Sequence, residues 1–182
     1  TRQVSSAASD VYKRQYEILE YWLQSLLDRK LVNRLGVSIY TASDLNSISL
    51  NNIKLVQMPI SLYDQRLIEN NFCKDLSRRG IAIHARSIFF QGLLLANYKQ
   101  WPRTMSSDFI QHHKNVISLF KQKSLMQISL EFILSCKFIE TALVGVTSLR
   151  ELEEIVSCLD KLKLNSDIDY SNLSWNRESD LD

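Results

Sequence analysis

Adjacent histidines at 112 and 113, three cysteines, and a helix start written Thr147-Ser148-Leu149-Arg150-Glu151 carry the most reactive chemistry in this 182-residue sequence. Each has a plain reading. A metal site needs a spaced third ligand, and His112-His113 brings no carboxylate at ligand spacing, so the pair reads as part of a solvated loop and no metal is expected. Cys73, Cys136 and Cys158 are odd in number and far apart, which fits buried thiols rather than a disulfide framework or a CxxC clamp. Ser148-x-x-Glu151 is a capping box that needs no ligand. The same helix start would also attract a phosphate, with Arg150 beside it as a basic side chain. Gln57 lies at the end of a β-like run, and its side-chain amide offers both a donor and an acceptor. No GxGxxG or GxxxxGK loop follows any such run.

The elements that hold these residues follow from hydrophobic period. Ile18, Leu19, Trp22, Leu23, Leu26 and Leu27 mark one face of a helix over Tyr16 to Lys30. A strand over Arg34 to Tyr40 runs into a short helix near Ala42 to Ile48, and Ile53 to Met58 is a second strand, stopped by Pro59. Leu67, Ile68, Phe72 and Leu76 predict one helix over Asp64 to Arg79, with Gly80 as its stop. Ile81 to Ser87 is a third strand, followed by about forty residues read as an irregular excursion with short helices, a length that is often functional. His84 alternates with Arg86 and points to the same face. A helix over Ser124 to Lys137, a fourth strand over Thr141 to Val146, and a last helix with Leu149, Leu152, Ile155, Val156, Leu159 and Leu162 complete the order. Tyr170, Leu173 and Trp175 are isolated in a polar tail from Asn165 and could pack on a surface.

One helix followed by four βα units predicts parallel strands with helical crossovers. Four strands do not close a (β/α)8 barrel, which typically takes about 250 residues. The expected fold class is therefore α/β, a partial TIM barrel holding roughly its last four βα units. A small doubly wound sheet is the rival.

Composition narrows the function. Hydrophobic residues make up 45% and charged ones 23%, as in a soluble globular protein. Lys plus Arg number 22 against 20 Asp plus Glu, too even to suggest nucleic acid or an anionic membrane as partner. No run reaches the roughly 18 apolar residues of a membrane helix, so the expected location is cytoplasmic. Ser5 to Gln15 has no apolar period and resembles the in-frame translation of a sequencing adapter. Residues 1–15 are accordingly set apart as a non-native tail, with 16–164 as the domain and 165–182 as the C-terminal tail. The excess of basic residues lies in that first stretch, where Arg2, Lys13 and Arg14 face only Asp10.

Four segments, in order and in spacing, resemble the C-terminal half of the aldo-keto reductases: Arg34 to Tyr40, Val56 to Arg66, Ala85 to Leu94, and Val144 to Glu154. The resemblance implies the fifth to eighth strands of the barrel, an NADP cofactor with NAD left open, and a small-molecule aldehyde or ketone reduced to an alcohol. It implies that Gln57 and Ser38 meet the nicotinamide carboxamide, although Ile39 replaces the asparagine that usually follows the serine. Arg86 stands where many members stack a tyrosine on the nicotinamide; it either stacks in its place or pairs with an acidic group. Ser87, Phe89 and Gln91 fall in the loop that covers the diphosphate, mostly through backbone N–H groups. Phe89, Phe90 and Leu93 to Leu95 also read as core. Gly145, Thr147, Ser148 and Arg150 fall in the turn that holds the adenosine 2′-phosphate, where Glu151 replaces the usual Gln or Arg and Ile155 the usual Asn. Residues Gln91 to Leu95 are most similar to members encoded near surface-polysaccharide genes, which implies a sugar-related carbonyl. The Asp, Tyr, Lys and His tetrad of the family maps upstream of the matched segments, so the expected chain has no catalytic residue of its own and is inactive alone. The alternative is a non-catalytic cofactor-binding or regulatory protein of the same fold.

Overall fold

The structure, a computed structural model, describes residues 18–47, 53–162 and 168–181. Residues 1–15, Ile48 and Asn165, which figure in the sequence reading, lie outside them. Helix α1 occupies residues 18–28. Strand β1 is Leu35–Ser38, followed by a 3-10 turn at Ala42–Ser47, β2 at Ile53–Pro59, and short helices α2 at Arg66–Glu69 and α3 at Phe72–Arg78. Strand β3 is Ala82–Arg86, followed by α4 at Ser107–Leu119, α5 at Leu125–Ser135, β4 at Ile139–Ala142 and α6 at Leu149–Lys161. The four strands form one sheet in the order β1-β2-β3-β4, every pair parallel. This is the partial barrel that the βα order predicts.

Alternation decides which face does what. Val56, Met58, Ile83 and Ala85 turn toward the helices and are buried, while Leu55, Gln57, Ala82, His84 and Arg86 take the opposite face and stay partly exposed. On α4 the buried positions are Phe109, His113 and Val116, one stripe at helical spacing.

Five expectations are corrected. β2 runs through Pro59, which is in register with Arg86, because Gln57 O accepts from Ile39 N on one side while Ile60 N donates to Arg86 O on the other. The proline nitrogen thus faces the side where β1 has already ended, and its missing N–H costs no ladder bond. The helix expected over Asp64 to Arg79 is two helices. Asn71 adopts φ 58°, a left-handed conformation that asparagine tolerates, and resets the chain direction before α3. The end at Gly80 holds: Gly80 N donates to Ser77 O and Ile81 N to Leu76 O, a Schellman pair with Gly80 at φ 70°.

The excursion after β3 contains a regular 13-residue helix, α4, started by Ser106, whose hydroxyl accepts from Phe109 N. His112 and His113 lie on this helix rather than in a solvated loop. The fourth strand is earlier than expected, Ile139–Ala142 instead of Thr141 to Val146. Its neighbour β3 ends at Arg86, and after Leu143 N donates to Ala85 O the apolar run has no strand to pair with. On α6, Ile155 is buried, but Leu149, Leu152, Val156 and Leu159 are exposed, as are Ile18, Leu19 and Trp22 on α1. The tail does pack: Tyr170 and Leu173 are buried, and Trp175 N donates to Tyr63 O at 2.8 Å.

Candidate active site

Ser38 is the last residue of β1, Gln57 lies two from the end of β2, and Arg86 is the last residue of β3. All three sit at the C-terminal edge of the sheet, the edge where barrel enzymes carry their chemistry. Ser38 and Gln57 are in register, and Ser38 Oγ lies 3.4 Å from Gln57 Oε1. That contact occupies the acceptor of the amide, and Gln57 Nε2 has no partner among the described residues. Arg86 donates to Ile39 O at 3.3 Å and to Ser87 Oγ at 3.5 Å, and its guanidinium lies 4.2 Å over the ring of Tyr40. The sequence reading missed Tyr40, whose only signal was an exposed aromatic next to the strand end.

The loop after β3 is built from left-handed residues: Ser87, Phe90 and Gln91 have φ 57°, 49° and 54°, and Gly92 has φ 86°. Non-glycine residues hold such angles only when their surroundings over-determine them. Here Phe90 N donates to Ser87 O at 2.7 Å and Gly92 N to Phe89 O at 3.0 Å, while Ile88, Phe89, Phe90 and Leu94 are anchored in the core. Phe89 is thus core first, and Leu95 is exposed. The amides of Phe90, Gly92, Leu93 and Leu94 all donate to carbonyls within the loop.

This loop, α4 and α6 enclose a cleft of about 1710 Å³, lined among others by Ser87, Phe89, Gln91, Gly145, Thr147 and Arg150. Ser38, Gln57 and Arg86 are not among its lining residues; they stand on the strand ends beside it. At its far wall Ser148 caps α6, its hydroxyl accepting from Glu151 N at 3.2 Å. The Glu151 side chain turns back toward Thr147 and Ser148. Its carboxylate takes Thr147 N at 2.7 Å and Thr147 Oγ1 at 2.9 Å, and these bonds hold its pKa below the ordinary value.

Behind the cleft lies a buried polar pair that the sequence did not disclose. Tyr63 and His113 are 0% and 1% exposed, with Tyr63 Oη 2.9 Å from His113 Nδ1. Trp101 packs 4.4 Å from the His113 ring and Tyr63 lies 5.5 Å from Phe109, an aromatic box drawn from distant segments. Burial lowers the His113 pKa to about 4. It also pushes the Cys73 thiol up to about 12 and Cys136 to about 11, which disfavours the nucleophilic thiolate at neutral pH.

On the sheet face that carries Gln57, His84 Nε2 lies 3.4 Å from Glu140 Oε1, and Arg34 binds the same carboxylate at 2.8 Å.

The parallel βα sheet, with Ser38, Gln57 and Arg86 at or near its C-terminal strand ends, is the architecture of a partial barrel. The model of the aldo/keto reductase family matches residues 8–171, and the chain belongs to that family. The fold resembles aldo-keto reductase AKR11C1 from Bacillus halodurans, with TM-scores of 0.64 and 0.63 for its holo and apo forms at 18% identity. Those matches cover 79% of this chain and 50% and 51% of the solved ones. It also resembles the thermostable aldo-keto reductase Tm1743 in complex with the inhibitor epalrestat, with TM-score 0.55 and 15% identity over 80% of this chain and 49% of that one. The chain thus spans about half the length of these solved structures. No curated protein matches it.

Proposed function

We propose that this chain is the dinucleotide-binding half of an oxidoreductase that reduces an aldehyde or ketone, sugar-related in the family pattern, to an alcohol. The observation that carries this reading is the Ser38 and Gln57 pair at adjacent strand ends, 3.4 Å apart, with the Gln57 Nε2 donor unused among the described residues. An amide with one free donor, oriented by a neighbouring hydroxyl, complements the carboxamide oxygen of a nicotinamide. The bound dinucleotide, NADP in the family pattern, would supply the hydride. The strained loop from Ser87 to Gly92 would cover its diphosphate, and the cleft running to Thr147 would take its adenosine end. The face of Arg86 opposite Tyr40 carries no aromatic ring among the described residues, which leaves it open for a second planar group.

The general acid of the reaction belongs, in this reading, to the other half of the barrel. Two features support a second half: the sheet has open edges at β1 and β4, and apolar residues lie exposed on the helices flanking both edges. Titration of the chain with NADH and NADPH, followed by nucleotide fluorescence, tests the proposal. Binding that Gln57→Ala weakens by about 3- to 10-fold, the worth of one hydrogen bond, is the expected result. Absence of binding to either nucleotide overturns the cofactor reading. Aldehyde turnover by the chain alone overturns the assignment of the acid to the other half.

A further inference from the structure

Two strands of the sheet are paired on one side only. β1 pairs with β2 and β4 with β3, and both edge strands are four residues long. An open strand edge is a template for another strand. Apolar side chains gather beside these edges. Ile18, Leu19 and Trp22 on α1, which leads into β1, are exposed, and so are Leu152, Val156 and Leu159 on α6, which follows β4. The charges at the two edges are opposite. Arg34 immediately precedes β1 and Glu140 is the second residue of β4, so each stands near the start of its strand.

We infer that, in the absence of the complementary half, the chain closes on a second copy of itself, two four-stranded sheets making one eight-stranded parallel barrel. The inference concerns the strand edges and stands apart from the dinucleotide reading. Eight is the strand number at which such a barrel closes with its interior filled by side chains. A two-fold rotation about the barrel axis preserves strand direction, so β4 of one copy meets β1 of the other in parallel, the pairing mode of all three existing strand pairs. Two identical seams form and no edge is left over. Each seam brings Glu140 of one copy to the level of Arg34 of the other. Both side chains are nearly half exposed, so the pair they form within one chain leaves them accessible to the second copy. The seam also lays α6 against α1 of the neighbour, covering apolar side chains that water meets in the single chain.

The test weighs the 182-residue chain by sedimentation across a dilution series. A mass of twice 21.1 kDa at the upper concentrations is expected. Monomer throughout, or oligomers that keep growing, overturns the closure. Arg34→Glu and Glu140→Arg are each expected to weaken the dimer by roughly tenfold or more, since like charges then meet at both seams. Mixing the two variants in equal amounts is expected to restore it. Every seam of the mixed dimer joins opposite charges, while within each chain residues 34 and 140 still repel, so recovery does not come from the internal pair. No recovery on mixing overturns the inference. Leu152→Glu, at an exposed position that the single chain tolerates, answers the question should the charge variants unfold. It is expected to stay monomeric, and a dimer as tight as that of wild type overturns the proposed seam.

Discussion

Arg34 and Glu140, 106 residues apart, form a two-pronged ion pair, NH1 to Oε2 at 3.0 Å and NH2 to Oε1 at 2.8 Å. Arg34 directly precedes β1 and Glu140 lies within β4, so one guanidinium spans from the first edge of the sheet to the last. Since both residues are nearly half exposed, the pair is a modest source of stability, and it links the approach to the first strand with the last one. With His84 on the same carboxylate, the network braces the sheet face that presents Gln57.

The pair makes part of the acid limb of stability traceable to one carboxylate. Glu140 is held below its ordinary value of 4.5, chiefly by the hydrogen bond from Arg34. A lowered folded pKa means that its contribution is complete above the unfolded value and is lost as pH falls through the folded one. Glu140→Gln is therefore expected to flatten the acid unfolding curve below the ordinary carboxylate range, and added salt should narrow the gap between variant and wild type near neutral pH. Fluorescence-monitored acid titrations check both; identical curves for the two proteins would show that the pair bears nothing.

His113 gives a second, separate pH dependence. Its pKa falls from 6.5 unfolded to about 4 folded because burial penalises the imidazolium. The unfolded chain binds the proton more readily, so stability is whole above the unfolded value and declines as pH drops from there toward the folded one, by on the order of 2–3 kcal/mol. His113→Phe removes that decline. At neutral pH the variant is expected to be less stable by about 1–3 kcal/mol, because Tyr63 Oη is left buried without its partner. Adding Tyr63→Phe should restore part of the loss. Urea denaturation of the three proteins at about pH 7 and about pH 5 decides it, and an unchanged pH slope in His113→Phe would sink the assignment.

These buried groups mark where the sequence was mute. Val56, Met58, Ile83 and Ala85 alternate strictly, and Ser148 precedes a periodic apolar run, so strands, parallel order and the α6 cap were legible from local pattern. His113 was not, since its burial depends on Tyr63, Trp101 and Phe109 arriving from other segments, and a histidine pair carries no periodic signal of its own. Asn71 left the apolar period of Leu67, Phe72 and Leu76 intact while breaking the helix between them. Leu143 to Val146 has β-like composition, yet strand structure also needs a neighbour, which ends at Arg86. At the site, residue types were readable, but the capture of Thr147 by Glu151 required side-chain geometry.

Asp180 ties the tail to α4. Its carboxylate accepts from Ser106 N at 2.9 Å, Ser106 Oγ at 2.7 Å and Trp175 Nε1 at 3.1 Å, so a residue from the far end of the described chain supports the N-cap of a central helix. Asp180→Ala is expected to cost about 1–2 kcal/mol, the usual worth of a cap with its buried bonds. Hydrogen exchange should quicken at the first turn of α4 and Trp175 emission should shift to the red. Wild-type protection at residues 107–110 would show that Ser106 caps the helix unaided.

Gly36 links sheet packing to the site most directly. A Cβ added there would stand 2.8 Å from both the Cβ and the carbonyl oxygen of Leu55, and the backbone oxygen has no rotamer by which to yield. β1 therefore approaches β2 closely at this point, two residues before Ser38 meets Gln57. Gly36→Ala must push the strands apart, at a cost of about 1–3 kcal/mol. Because the displacement carries Ser38 away from Gln57, dinucleotide binding should weaken together with stability. Ser38→Ala is the control, expected to weaken binding while leaving the unfolding midpoint near that of wild type, since the hydroxyl is exposed and makes one long bond. Urea melts and nucleotide titrations on the two variants separate the effects. If Gly36→Ala bound as well as wild type, the strand spacing would not be what positions the Gln57 amide.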